Sequence, residues 1–129
     1  LSQFFEAYPS FMLKLKNFGC FPKNRNPVVF INPVHNEAMN LLHRDLMLFL
    51  RKLSFDEEQT SLKFHPHMTV AYRDLTHYHF KQAWVEFCNK SYEASFLVDK
   101  IWLLRHETKW MPIHGFPLRT SNWPAHENL

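Results

Sequence analysis

The stretch Phe64-His65-Pro66-His67-Met68-Thr69-Val70-Ala71-Tyr72-Arg73 sets the reading of everything around it. Taken as a β segment over residues 64–72, it places side chains two apart on one face. His67, Thr69 and Ala71 then point one way, and Met68, Val70 and Tyr72 the other. An imidazole and a hydroxyl project side by side. The first exchanges a proton near neutral pH, and the second hydrogen-bonds an anionic oxygen without adding charge, so the pair suits phosphoryl chemistry. Met68 and Val70 are expected to anchor the opposite face in the core. Alone, His-x-Thr is a weak signal in a chain with 9 His, because a single imidazole needs a partner for acid-base work.

Upstream, Phe11, Leu13 and Leu15 alternate with Met12, Lys14 and Lys16, the period of a half-buried strand. NFGCFPKNRNP, residues 17–27, breaks that period with turn formers and basic residues and is expected to be an exposed loop. Residues 28–31 read as a short apolar strand after Pro27. Asn36 can cap a helix with Glu37 in its first turn, and Ala38, Leu42, Leu46, Phe49 and Leu53 recur at steps of three or four. Asn40, His43, Arg44 and Arg51 occupy the opposite, solvated face, and SFDEEQTS, residues 54–61, follows as a polar loop.

Downstream, residues 76–89 predict a second helix with Phe80, Ala83, Trp84, Phe87 and Cys88 on one face. Phe96 and Val98, then Ile101, Leu103 and Leu104, are strand-like, with residues 110–113 as an antiparallel partner across a turn near Glu107. Strands mixed with two amphipathic helices imply an α+β fold with helices on one side of antiparallel sheets. No Gly- or Ser-rich linker divides the chain, and residues from Thr120 onward lack a pattern.

Composition narrows the function. With 129 residues and 46% hydrophobic content the chain has the makings of a folded domain, and no apolar run nears the ~20 residues that span a bilayer. Fifteen Lys+Arg against 12 Asp+Glu give only +3, scattered along the chain, which is weak evidence for a nucleic-acid partner. Two glycines leave no phosphate-binding glycine loop. Cys20 and Cys88 form neither a disulfide framework nor a Cys-rich zinc motif, and reduced thiols in a cytoplasmic setting are expected.

FHPHMTVAYRDL, followed by a helix and then by FLVDKIWLLRHE and WMPIHGFPL, resembles the C-terminal half of the two-histidine phosphoesterases, which include 2′-5′ RNA ligase-like proteins and cyclic nucleotide phosphodiesterases. LKNFGCFPKNRNPVVFINP and FPLRT add to the likeness, which extends from about Phe11 to Leu118. The resemblance implies a bilobal α+β fold with antiparallel sheets around a central cleft and helices outside. Each lobe offers one His-x-Thr/Ser, with one histidine as base, the other as acid, and the hydroxyls holding the phosphate. It implies no metal or other cofactor. The partner expected is a nucleotide or RNA bearing a cyclic or 2′-5′ phosphodiester.

On this likeness His67 and Thr69 are the catalytic pair, in the second of the family's two motifs. Arg73 is the candidate phosphate-binding cation, although Tyr72 intervenes and flips its side-chain parity, and Arg25, with Lys23, is a candidate contact to the rest of a nucleotide. The first motif should lie upstream of the strand at Phe11, yet LSQFFEAYPS holds no histidine and looks like the end of a helix. A single domain over residues 1–118, lacking its first motif and followed by a tail over 119–129, is therefore expected. A non-catalytic RNA- or nucleotide-binding domain with one half-site is the alternative.

Other histidines compete less well. His65, His67, His77 and His79 place four imidazoles within fifteen residues, but side chains two apart at a helix start diverge by about 200°, which disfavours a shared zinc ion. His106-Glu107-Thr108-Lys109 matches His-x-Thr literally but falls in an expected hairpin turn. His114 and His126 lack a suitable neighbour, His35 and His43 sit at or on the solvated outer face of the first long helix, and Trp102 and Trp110 read as core or cross-strand packing.

Overall fold

The structure is a computed structural model and describes residues 1–120. In chain order its elements are α1 (Ser2–Glu6), β1 (Phe11–Phe21), β2 (Val28–Pro33), α2 (Glu37–Lys52), β3 (Met68–Ala71), α3 (His77–Phe87), β4 (Glu93–Val98), β5 (Lys100–His106) and β6 (Trp110–Pro117). This is a mixed α+β architecture whose named strand pairs are antiparallel. Two compact units divide it: Leu13–Ser95, and Leu1–Met12 with the described residues from Phe96 onward.

The unit of Leu13–Ser95 carries a four-stranded sheet in the order β3-β2-β1-β4. Val28, Val29, Phe30 and Ile31 are all buried, so β2 is covered on both faces, which explains its uninterrupted apolar run. The first five residues of the expected loop at 17–27 are instead strand, because β1 runs on to Phe21. Asn17 takes a left-handed φ of 60°, and the register with β2 shifts by one between Leu15 and Phe18. Such a bulge flips the parity of every later side chain, and that is why the period of two breaks although the strand does not. The true turn is residues 22–27.

The strand expected over 64–72 is shorter as well. Pro66 has no N–H to give a ladder and pushes His65 into an extended conformation of its own, so pairing begins only at Met68. Met68 and Val70 are 40% and 50% exposed, against the expectation that they anchor a core face. β3 is an edge strand that pairs with β2 alone among the described residues.

Asn36 caps α2 as expected, its side-chain oxygen accepting from Met39 N at 2.9 Å. Leu42 is the one buried residue of the helix, with Leu46 and Phe49 half-buried beside it, whereas Ala38 and Leu53 are exposed. Two residues of the supposed solvated face are engaged instead. His43 stacks on Phe64 with ring centroids 4.0 Å apart and planes 3° from parallel. Arg51 holds Thr60, which is fully buried, through Nε to the hydroxyl at 2.9 Å and Nη2 to the carbonyl at 3.0 Å. α3 starts at its Thr76 cap and buries Phe80.

In the other unit, β5 and β6 pair from Lys100↔Pro117 to His106↔Trp110 around the expected turn. Trp102 and Trp110 pack across the strands, the first over Gly115 and the second against His106, but both remain more than half exposed. α1 buries Phe5 against Phe116, ring centroids 5.1 Å apart. Arg119, the first residue of the expected tail, bridges to Pro9, and residues 121–129 lie outside the described residues. Among the described residues no helix is long and apolar enough to cross a membrane.

Candidate active site

The site grows from the register of three strands. Gly19 on β1 pairs with Phe30 on β2, and Phe30 pairs with Thr69 on β3. Directly paired residues project to the same face, so Gly19, Phe30 and Thr69 form one row across the sheet. Phe21 and Asn32, each two residues along, belong to that face too. A Cβ on Gly19 would lie 2.5 Å from Phe30 Cε1 and 2.7 Å from Asn32 Oδ1, so the glycine makes room for the Phe30 ring. Phe30, only 2% exposed, is thereby fixed as the floor beside Thr69.

The histidines stand on that floor. Phe21 and Phe30 lie 4.7 Å apart by centroid, and His67 meets them at 5.1 and 5.4 Å, nearly perpendicular to Phe21. His65 meets the same pair at 4.9 and 5.7 Å, edge to face, with 6.2 Å between the two imidazoles. Such edge contacts hold a ring's orientation while leaving its other edge to solvent. His67 Nδ1 lies 2.8 Å from the backbone carbonyl of His65. A carbonyl can only accept, so Nδ1 carries the proton and donates it, and the lone pair of the neutral ring sits on Nε2. Pro66 bends the chain between donor and acceptor. His67 and Thr69 are both exposed, open to a ligand from solution.

The two sequence-chosen cations lie differently. Arg25 is exposed on the 22–27 turn. Lys23 on the same turn is the cation set against the aromatic pair, its Nζ 5.9 Å from the Phe21 centroid. That turn is tied to α3, because His77 Nδ1 donates to the Lys23 carbonyl at 3.3 Å. Arg73 follows β3 and lines a shallow depression of about 350 Å³ with Tyr72 and Asp74. Sequence reasoning missed Gly19, Phe21 and Phe30 as parts of the site. One of only two glycines, placed between aromatic residues, was the available signal, but it becomes legible only once the bulge at Asn17 is allowed for.

The remaining candidates have other partners. His79 pairs with the Thr76 hydroxyl, His35 with the Asn40 amide, His106 with Trp110 and His114 with Phe116, while His126 lies outside the described residues. His77 and His79 thus turn to different neighbours. No group of three or more His, Cys, Asp or Glu side chains among the described residues is arranged to hold a metal ion. Cys20 and Cys88 are free thiols, and burial, with the nearby Cys88 second, pushes Cys20 up and away from thiolate chemistry.

A family model described as the 2′-5′ RNA ligase superfamily matches residues 1–110. The chain belongs to that superfamily. No curated protein matches it. The 2′-5′ RNA ligase superfamily falls within the two-histidine phosphoesterases, so membership places the chain among phosphoesterase- and ligase-type proteins of RNA or nucleotides, as its His-x-Thr stretch led one to expect. The matched span takes in the row of Gly19, Phe30 and Thr69 together with His67.

Proposed function

We propose that His67 and Thr69 form one half-site of a two-histidine phosphoesterase that opens a 2′,3′-cyclic phosphate or a related nucleotide or RNA phosphodiester. The hydrogen bond from His67 Nδ1 to the His65 carbonyl carries this reading, because it directs the basic Nε2 away from the chain. In hydrolysis His67 Nε2 takes a proton from water as the water oxygen bonds to phosphorus. The P–O bond to the leaving ribose oxygen breaks, and the second histidine of the family's pair protonates that oxygen. Thr69 donates its hydroxyl to a nonbridging oxygen, where charge accumulates in the transition state. Run in reverse, with the roles of the two histidines exchanged, the same groups join RNA ends through a 2′-5′ linkage.

The second histidine is, on this proposal, that of the family's first motif, with Arg73 and Arg25 supplying positive charge toward the substrate. The test is to follow by phosphorus NMR an oligoribonucleotide ending in a 2′,3′-cyclic phosphate in the presence of the full-length protein. Conversion of the cyclic signal to a phosphomonoester is the expected result. Saturable binding without conversion would overturn the enzyme reading in favour of an RNA-binding domain.

A further inference from the structure

The turn over residues 22–27 joins β1 to β2, and its residues 22–26 are exposed. Its far end is fixed by Pro27, which is fully buried. Lys23, near the other end, is held at both of its backbone groups. Its N–H donates to the Phe21 carbonyl at 2.9 Å, a tight turn that folds the chain back toward the Phe21 ring. Its carbonyl accepts from His77 Nδ1 at 3.3 Å, across 54 positions of sequence.

The donor stands on firm ground. His77 opens α3, a helix capped by Thr76, whose hydroxyl accepts from His79 N at 3.1 Å, and anchored by Phe80 at 3% exposed. The His77 ring is itself half-buried, 6.2 Å from the ring of Phe80. A carbonyl only accepts, so Nδ1 carries a proton. The imidazolium carries one there too, and the bond survives protonation of the ring.

What the bond holds belongs beside the half-site. Lys23 Nζ stands 5.9 Å from the Phe21 centroid, and His67 meets the same ring at 5.1 Å, nearly perpendicular to it. A lysine on a loose turn spreads its charge over a wide volume, because its stem is long and flexible; pinning the backbone returns that charge to one region.

We propose that His77 is a positioning residue for the half-site: by holding the Lys23 carbonyl it keeps the Lys23 ammonium beside the Phe21–His67 contact, where its field acts on a phosphate at His67 and Thr69. This role rests on the reading of His67 and Thr69 as the phosphate-holding pair. His77 itself touches neither the substrate nor the reacting atoms.

The test is a double-variant cycle in the full-length protein. It is read as kcat and KM for a 2′,3′-cyclic nucleotide, and as the Kd of inorganic phosphate followed at the His67 ring resonances. Lys23→Met should weaken phosphate and lower kcat/KM about three- to fivefold, the scale of one solvent-exposed charge. His77→Phe keeps a ring beside Phe80 without the donor and should reproduce most of that loss. His77→Asn places an amide nitrogen where Nδ1 stood and should restore wild-type values. In the Lys23→Met background His77→Phe should cost nothing further, since His77 acts through Lys23. A loss that persists without Lys23, no rescue by asparagine, or full phosphate affinity in Lys23→Met would each overturn the proposal. The two readings fail separately. Cyclic-phosphate opening that ignores both substitutions keeps the catalytic reading and removes the tether, whereas phosphate binding at His67 that depends on Lys23 and His77, without turnover, keeps the tether and removes the catalysis.

Discussion

Because a carbonyl oxygen accepts and cannot donate, the 2.8 Å contact between His67 Nδ1 and the His65 carbonyl fixes a tautomer. Nitrogen-15 shifts of the His67 ring at neutral pH should therefore show Nδ1 protonated and Nε2 bare; the opposite tautomer would contradict the proposed base. His43 provides a second residue-level test. Burial lowers its pKa from the ordinary 6.5, so the folded protein favours the neutral ring. Between the lowered value and 6.5 the unfolded chain binds more protons. The stability from the neutral His43–Phe64 stack is thus whole above 6.5 and is lost as pH falls through the lowered value. His43→Phe keeps an aromatic stack and removes the titration. Between pH 7.5 and 5.5 the wild-type Tm should fall further than that of the variant, and parallel losses would refute this account of His43. His43 is half-buried rather than fully enclosed, so the difference should be modest.

At the scale of elements, the two glycines give a contrast. An added Cβ at Gly19 meets the Phe30 ring at 2.5 Å, and at Gly115 it meets the Trp102 ring at 3.0 Å. Trp102 is 55% exposed and can swing outward, whereas Phe30 at 2% exposed has nowhere to go. Gly19→Ala should cost about 1–3 kcal/mol by overpacking, and Gly115→Ala within about 0.5 kcal/mol of nothing, in urea unfolding. Equal costs would contradict the assignment of Phe30 as a fixed floor. These elements also show what a sequence reader can see. The Asn36 cap, the Leu42 stripe and the β5–β6 hairpin follow from local chemistry and were legible in advance. The continuation of β1 was not, since the bulge at Asn17 shifts parity without changing composition. Nor was the exposure of Met68 and Val70, because an edge strand and a central one share the same alternation, and only the sheet order separates them.

For the whole molecule, membership of the 2′-5′ RNA ligase superfamily joins the His-x-Thr stretch to phosphoester chemistry, and on the proposed half-site His67 rather than His65 carries turnover. His67 and Thr69 were legible as a pair from their spacing. The part played by His65 was not, because it works through its backbone carbonyl, which no side-chain pattern reports. His65→Ala leaves that carbonyl in place and should cost little turnover. His67→Ala removes the base and should cost about 10²-fold or more. The most direct measurement is turnover of a 2′,3′-cyclic nucleotide by the full-length protein and these two variants, each with wild-type Tm. A collapse of turnover in His67→Ala beside near wild-type turnover in His65→Ala is the predicted result, and an active His67→Ala beside an inactive His65→Ala would contradict the assignment of the half-site.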